Sequence, residues 1–91
     1  MPLPLRRVIE AATDSNLPGA AINLFASIAL NSDEQGELIA TYRDLGIRIG
    51  AAVGTVQRSV ATLEEHGYLV REAGPSRTSP SKFRVLPPSN Q

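Results

Sequence analysis

Polar and apolar positions alternate along this chain with helical spacing in four stretches and with strand character in three. Leu5, Val8, Ile9 and Ala12 recur at i, i+3, i+4 and i+7. That spacing predicts a short helix over residues 5–13, with Arg6, Arg7 and Glu10 turned away from its apolar face. Asp14-Ser15-Asn16-Leu17 supplies cap and turn residues, and Pro18 suits a first helical turn, where its missing N–H has no partner to lose. A second helix then runs over residues 18–30. From Ala20 to Leu30 it is apolar except at Asn23 and Ser27. A helix apolar nearly all round needs cover on more than one side. Either the first helix folds over it or a second copy of the chain docks on residues 5–30.

Asn31 to Gly36 is a polar turn, and Glu37-Leu38-Ile39-Ala40 after it reads as one short strand. Thr41 and Asp44 have the spacing of a capping box, in which hydroxyl and carboxylate each satisfy an orphan backbone N–H. A third helix therefore spans Tyr42–Ile49, and Gly50, able to turn left-handed, stops it. Gly46 inside it is consistent with a close helix crossing. A fourth helix covers residues 52–66, with Val56, Val60 and Leu63 as its buried stripe. Gly67 and Tyr68 then have the pattern of a Schellman stop, with Tyr68 packing back on Leu63. Residues 68–72 and 82–86 read as two strands of a hairpin, joined by the Gly-, Pro- and Ser-rich loop 73–81. The fold class is mainly α with a small β-hairpin: an N-terminal helical extension (1–17), a domain (18–86) and a frayed tail (87–91).

Residues 41–69 resemble the winged helix-turn-helix DNA-binding core of bacterial and phage transcription regulators, in the style of the GntR-type reader heads. The residues that carry the resemblance are Leu45, the turn glycine Gly50, Thr55-Val56-Gln57-Arg58, Leu63, Glu65-His66-Gly67 and the apolar pair Tyr68-Leu69. The likeness implies that the fourth helix reads the major groove and that the hairpin is a wing. It departs from the family pattern at Ala52, where Ser or Thr usually caps the reading helix and touches phosphate, and at Gly46, where Ala is common.

With Val56, Val60 and Leu63 facing the core, 100° per residue places Gly54, Arg58, Ala61 and Glu65 on the far side, flanked by Thr55 and Gln57. Arg58 offers a paired donor to guanine or a clamp for phosphate, and Gln57 suits adenine or the backbone. Gly54 allows close approach, while Thr55 can donate its hydroxyl to phosphate. Ile47 and Val53 fall on exposed positions, with the wing, a partner or thymine methyls as possible neighbours for both. A solvated helix face is the plain alternative for all of them.

In the wing, Arg77 stands at the tip between Pro75 and Pro80, suited to a minor groove, and Lys82 and Arg84 share one strand face suited to phosphates. The hydroxyls of Ser76, Thr78, Ser79 and Ser81 can accept phosphate groups, and Thr78 joins the candidates for DNA contact. Thr41 and Arg43, at the start of the third helix, complete that set, with Arg48 as a further backbone contact. His66 is expected to meet the last carbonyls of its helix.

Composition narrows the chemistry. The 91 residues hold 42% hydrophobic and 20% charged side chains, which suits one small globular domain. With no cysteine and one histidine, there is no disulfide or thiolate metal site, and no phosphate-loop motif is present. No enzyme, cofactor, metal or small-molecule ligand is expected. No apolar run reaches the ~18–20 residues of a membrane span, and the first residues lack signal-peptide order. A cytoplasmic, nucleoid-associated protein is the expectation.

Nine basic against nine acidic residues give zero net charge, which at first disfavours nucleic acid. The halves differ, however: residues 1–40 sum to −3 and residues 41–91 to +3. The expected function is sequence-specific binding of double-stranded DNA by a homodimer, as a transcriptional regulator of repressor type. The alternative is a winged-helix protein-interaction module or a replication or partition assembly component.

Overall fold

The computed structural model describes residues 2–76 and 78–88. Helix α1 spans Leu3–Ala12, with Pro2 before it and Pro4 in its first turn. It begins two residues earlier than the apolar spacing implied. First-turn N–H groups have no intrahelical partner, so proline is accommodated there. Helix α2, Gly19–Leu30, by contrast starts one residue later than expected, because Pro18, in extended geometry, serves as its N-cap.

Helix α2 is the central element, in contact with α1, with the strand Glu37–Ala40 and with the helices Tyr42–Ile49 and Val53–Glu65. Its Ala21, Leu24, Phe25, Ile28 and Ala29 are buried. Its nearly continuous apolar surface thus finds most of its cover inside one chain, and the first helix does fold over it. Leu5, Ile9 and Leu30 stay exposed, Leu30 by 66%.

Arg7 corrects the expectation that the charges of the first helix all face outward: it is buried. Its Nε donates to the Leu86 carbonyl, Nη2 to the Gly67 carbonyl and Nη1 to Glu10, each at 2.8 Å. The guanidinium lies 4.4 Å from the Tyr68 ring centre. Tyr68 in turn donates its hydroxyl to Asp14 at 2.8 Å and meets Phe25 edge to face. Each of the three guanidinium nitrogens that Arg7 takes out of water here has a partner, which makes the burial tolerable.

Strand β1 is Glu37–Ala40, helix α3 is Tyr42–Ile49 and helix α4 is Val53–Glu65. The capping box before α3 is complete: Asp44 N donates to Thr41 Oγ1 at 3.0 Å and Thr41 N to Asp44 Oδ2 at 3.1 Å. Gly50 ends α3 at φ 68°. Gly46 is fixed by space, since a Cβ there would stand 2.5 Å from the Ala51 carbonyl oxygen. Only glycine lets the chain pass this closely between the two helices. At the far end of α4, Gly67 N donates to the Glu64 carbonyl and Tyr68 N to that of Leu63, with Gly67 at φ 76°. That is the Schellman pair. His66 Nδ1 lies 3.2 Å from the Thr62 carbonyl, as its place at the helix end implied.

Strands β2, Leu69–Glu72, and β3, Ser81–Val85, pair antiparallel, and β1 adds to the other side of β3 in the order β1-β3-β2. The expected hairpin is therefore part of a three-stranded sheet. Registers Leu38↔Phe83 and Arg71↔Phe83 put these three on the face toward the helices. Glu37, Ile39, Val70, Glu72, Lys82 and Arg84 lie on the opposite face. The result is a small domain of four helices and one antiparallel sheet, and among the described residues no helix is long and apolar enough to cross a membrane.

Candidate functional site

Helix α4 turns its Val56, Val60 and Leu63 into the core, and Gly54, Gln57, Arg58, Ala61 and Glu65 are exposed, as the spacing required. Arg58 folds back toward the start of the helix. Its Nη2 reaches Thr55 Oγ1 at 3.3 Å, and Nη1 lies 3.7 Å from where a Gly54 side chain would begin. The guanidinium therefore rests over the bare Gly54 backbone at the exposed N-terminal end. Ala52 is the N-cap and makes no side-chain cap bond. Val53 and Ile47 are exposed, by 42% and 72%.

Beside this helix end opens a groove of about 430 Å³. The start of α3 contributes Thr41, Tyr42 and Arg43, and α4 contributes Val53 and Gln57. The sheet adds Arg71 and Ser81, and the loop between β2 and β3 adds Thr78 and Ser79. Thr41, Arg43, Val53, Gln57 and Thr78, expected from separate parts of the sequence, thus line one depression. Among the described residues that line it there are two arginines and no carboxylate. Asp44, close by, is held below the usual carboxylate range by the Thr41 backbone N–H and hydroxyl, with Arg48 and Arg43 adding to the effect. Its charge is committed to capping.

The loop wall is folded tightly. Ser76 Oγ pairs with Ser79 Oγ at 2.8 Å and with Thr78 Oγ1 at 3.3 Å. A side chain at Gly74 would collide with Ser79 Cβ and the Pro80 carbonyl, both at 2.5 Å. Gly74 is thus what allows the loop to double back. Arg77 lies outside the described residues.

Lys82 and Arg84 are not part of the groove. They occupy the outer face of the sheet, where Lys82 stands 4.0 Å from Glu37 and Arg84 is registered with Glu37 and Val70. Alternation along β3 sets this, because Ser81 and Phe83 take the inward positions. Cations and carboxylates are mixed on that outer face.

Arg71 and Tyr42 are the groove residues that sequence reasoning missed. Arg71 follows Leu69 by two and so shares its inward face, which leaves a cation where a strand facing the core normally carries an apolar residue. That was the available signal. Its guanidinium lies 4.8 Å from the Tyr42 ring centre, and its Nε donates to Ser81 Oγ at 2.9 Å. No protein-family model matches the chain, and no curated protein sequence matches it.

Proposed function

We propose that the chain is a winged helix-turn-helix protein that binds double-stranded DNA, with α3 and α4 as the helix-turn-helix and the β2–β3 hairpin as the wing. The observation that carries this reading is the exposed N-terminal half of α4, where Arg58 lies over Gly54 beside a groove that holds Arg43 and Arg71 and no carboxylate among its described lining. The end of the second helix enters the major groove in this motif, and a guanidinium there can pair with guanine. Gln57, Thr55 and Val53 are offered on the same end, and Thr41, Arg43 and Thr78 flank it as backbone contacts. Such a site binds and does not catalyse. Regulation of transcription, with repression by occupancy as the simplest mode, follows from site-specific binding.

The proposed unit is a homodimer through residues 5–30, on the patch that Leu5, Ile9 and Leu30 leave exposed. A dimer contacts half-sites about 34–36 Å apart. Lys82 and Arg84, on the mixed outer face, are expected to add little, and cytoplasmic placement on the nucleoid accompanies the reading.

A mobility-shift titration against a selected duplex and a random one, with sedimentation of the complex, tests it. Arg58→Ala is expected to cost about 1–3 kcal/mol on the selected duplex and to narrow its margin over the random one. Equal affinity of wild type and variant for both duplexes rejects sequence reading. A second reading, a protein-interaction or replication and partition module, is favoured by the apolar groove of about 680 Å³ between α1, the end of α2 and the turn before β1. Absence of any shift at low salt selects it, because counterion release makes phosphate contact strongest there.

A further inference from the structure

We infer that Arg71 is a preorganised seat for one phosphodiester of the DNA backbone, an inference that rests on the DNA-binding reading above. Arg71 is half-buried on the inward face of β2, at the floor of the groove between the start of α3, the start of α4 and the wing. Its plane is fixed twice, by the Tyr42 ring 4.8 Å away and by the Nε bond to Ser81. Among the described residues the guanidinium makes no ion pair and nothing accepts from Nη1 or Nη2; the one carboxylate on this residue, that of Glu64, accepts from the Arg71 backbone N–H at 3.3 Å. The other inward-held arginine, Arg7, has all three nitrogens engaged.

A partly desolvated cation normally finds an anion within the protein. Here the open pair of nitrogens is what an anion with two oxygens recognises, since the guanidinium fork matches a phosphate in two parallel bonds. The stack and the Ser81 bond hold the side chain in place before any ligand arrives, so little rotamer freedom is lost on binding. The mouth of the groove supplies the hydroxyls of Thr41 and Thr78 and the charge of Arg43. Gln57 and Val53 form the wall shared with α4. A duplex engaged by the start of α4 therefore brings its flanking strand over Arg71, between the helix and the wing.

The test has two arms. In the first, wild-type protein labelled with ¹⁵N is titrated with a short duplex and, separately, with inorganic phosphate, while the Arg71 Nε–H resonance is followed. The inference expects a shift with the duplex that far exceeds the shift with phosphate at equal anion concentration. A shift with phosphate alone makes the groove a free-anion site and overturns the inference.

In the second arm, Arg71→Met keeps the stem and removes the charge. It is expected to weaken every duplex by about tenfold and to flatten the slope of log affinity against log salt by about 0.9, with the preference for the selected duplex unchanged. Arg71→Lys, which keeps a point charge without the fork, is expected to restore the slope and only part of the affinity. Wild-type affinity and slope in Arg71→Met overturn the seat and leave DNA binding standing. No duplex shift by the wild type overturns both. If Arg71→Met fails to fold, the first arm decides alone.

Discussion

Among single residues, Tyr68 has the most distinctive chemistry. Burial, and then its hydrogen bond and proximity to the Asp14 carboxylate, push its phenol up to about 12. A phenol is neutral when protonated, so a raised value means that the fold favours the neutral form. Its contribution to stability is fully present below about pH 10 and is lost as pH climbs toward 12. In a Tyr42→Phe background, absorbance at 295 nm should rise with a midpoint near 12, and Asp14→Asn should bring that midpoint down. A midpoint near 10 in the background would mean that Tyr68 is not enclosed as described. Arg7 and Arg71 share the same scale and show what a residue pattern misses. Each is a cation whose helix or strand neighbours look ordinary. What places them inward is an acceptor or an aromatic ring remote in the chain: the Gly67 and Leu86 carbonyls for one, Tyr42 and Ser81 for the other.

At the scale of elements, local codes were legible and remote pairings were not. The Thr41–Asp44 box, the left-handed Gly50, the Gly67 stop and the Val56, Val60, Leu63 stripe depend on residues within a turn or two of one another, and all stand where the sequence put them. The strand at 37–40 was equally legible, but its partner was not, because β1 pairs with a strand that follows two helices and another strand. The face of Lys82 and Arg84 depended on the same pairing. Helix α4 also carries a defect open to repair. Its N-cap Ala52 leaves first-turn donors without a side-chain acceptor, so Ala52→Ser should stabilise the domain by about 0.5–2 kcal/mol. For a domain of this size each 1 kcal/mol raises the melting temperature by roughly 4–8 °C. Calorimetry that finds no rise would show that another group already satisfies those donors.

For the whole molecule, zero net charge conceals an uneven distribution. The acidic half of the chain contains α1, α2 and β1, and the basic half contains α3, α4 and the β2–β3 hairpin. A field of that shape orients a charged partner before contact, more than the sum of charges suggests. Arg7 joins the two halves. It bonds the carbonyl just after α4 and the one just after β3, so the first helix is clasped to both ends of the β2–β3 hairpin. The consequence is kinetic as much as energetic. Amide hydrogens of α1 and of β2 and β3 should exchange with solvent as one cooperative unit, with similar opening free energies. Arg7→Met should split them, letting α1 open first while the sheet stays protected. Motion of the outermost helix would then be felt at the β2–β3 hairpin only as long as a single buried guanidinium keeps its grip.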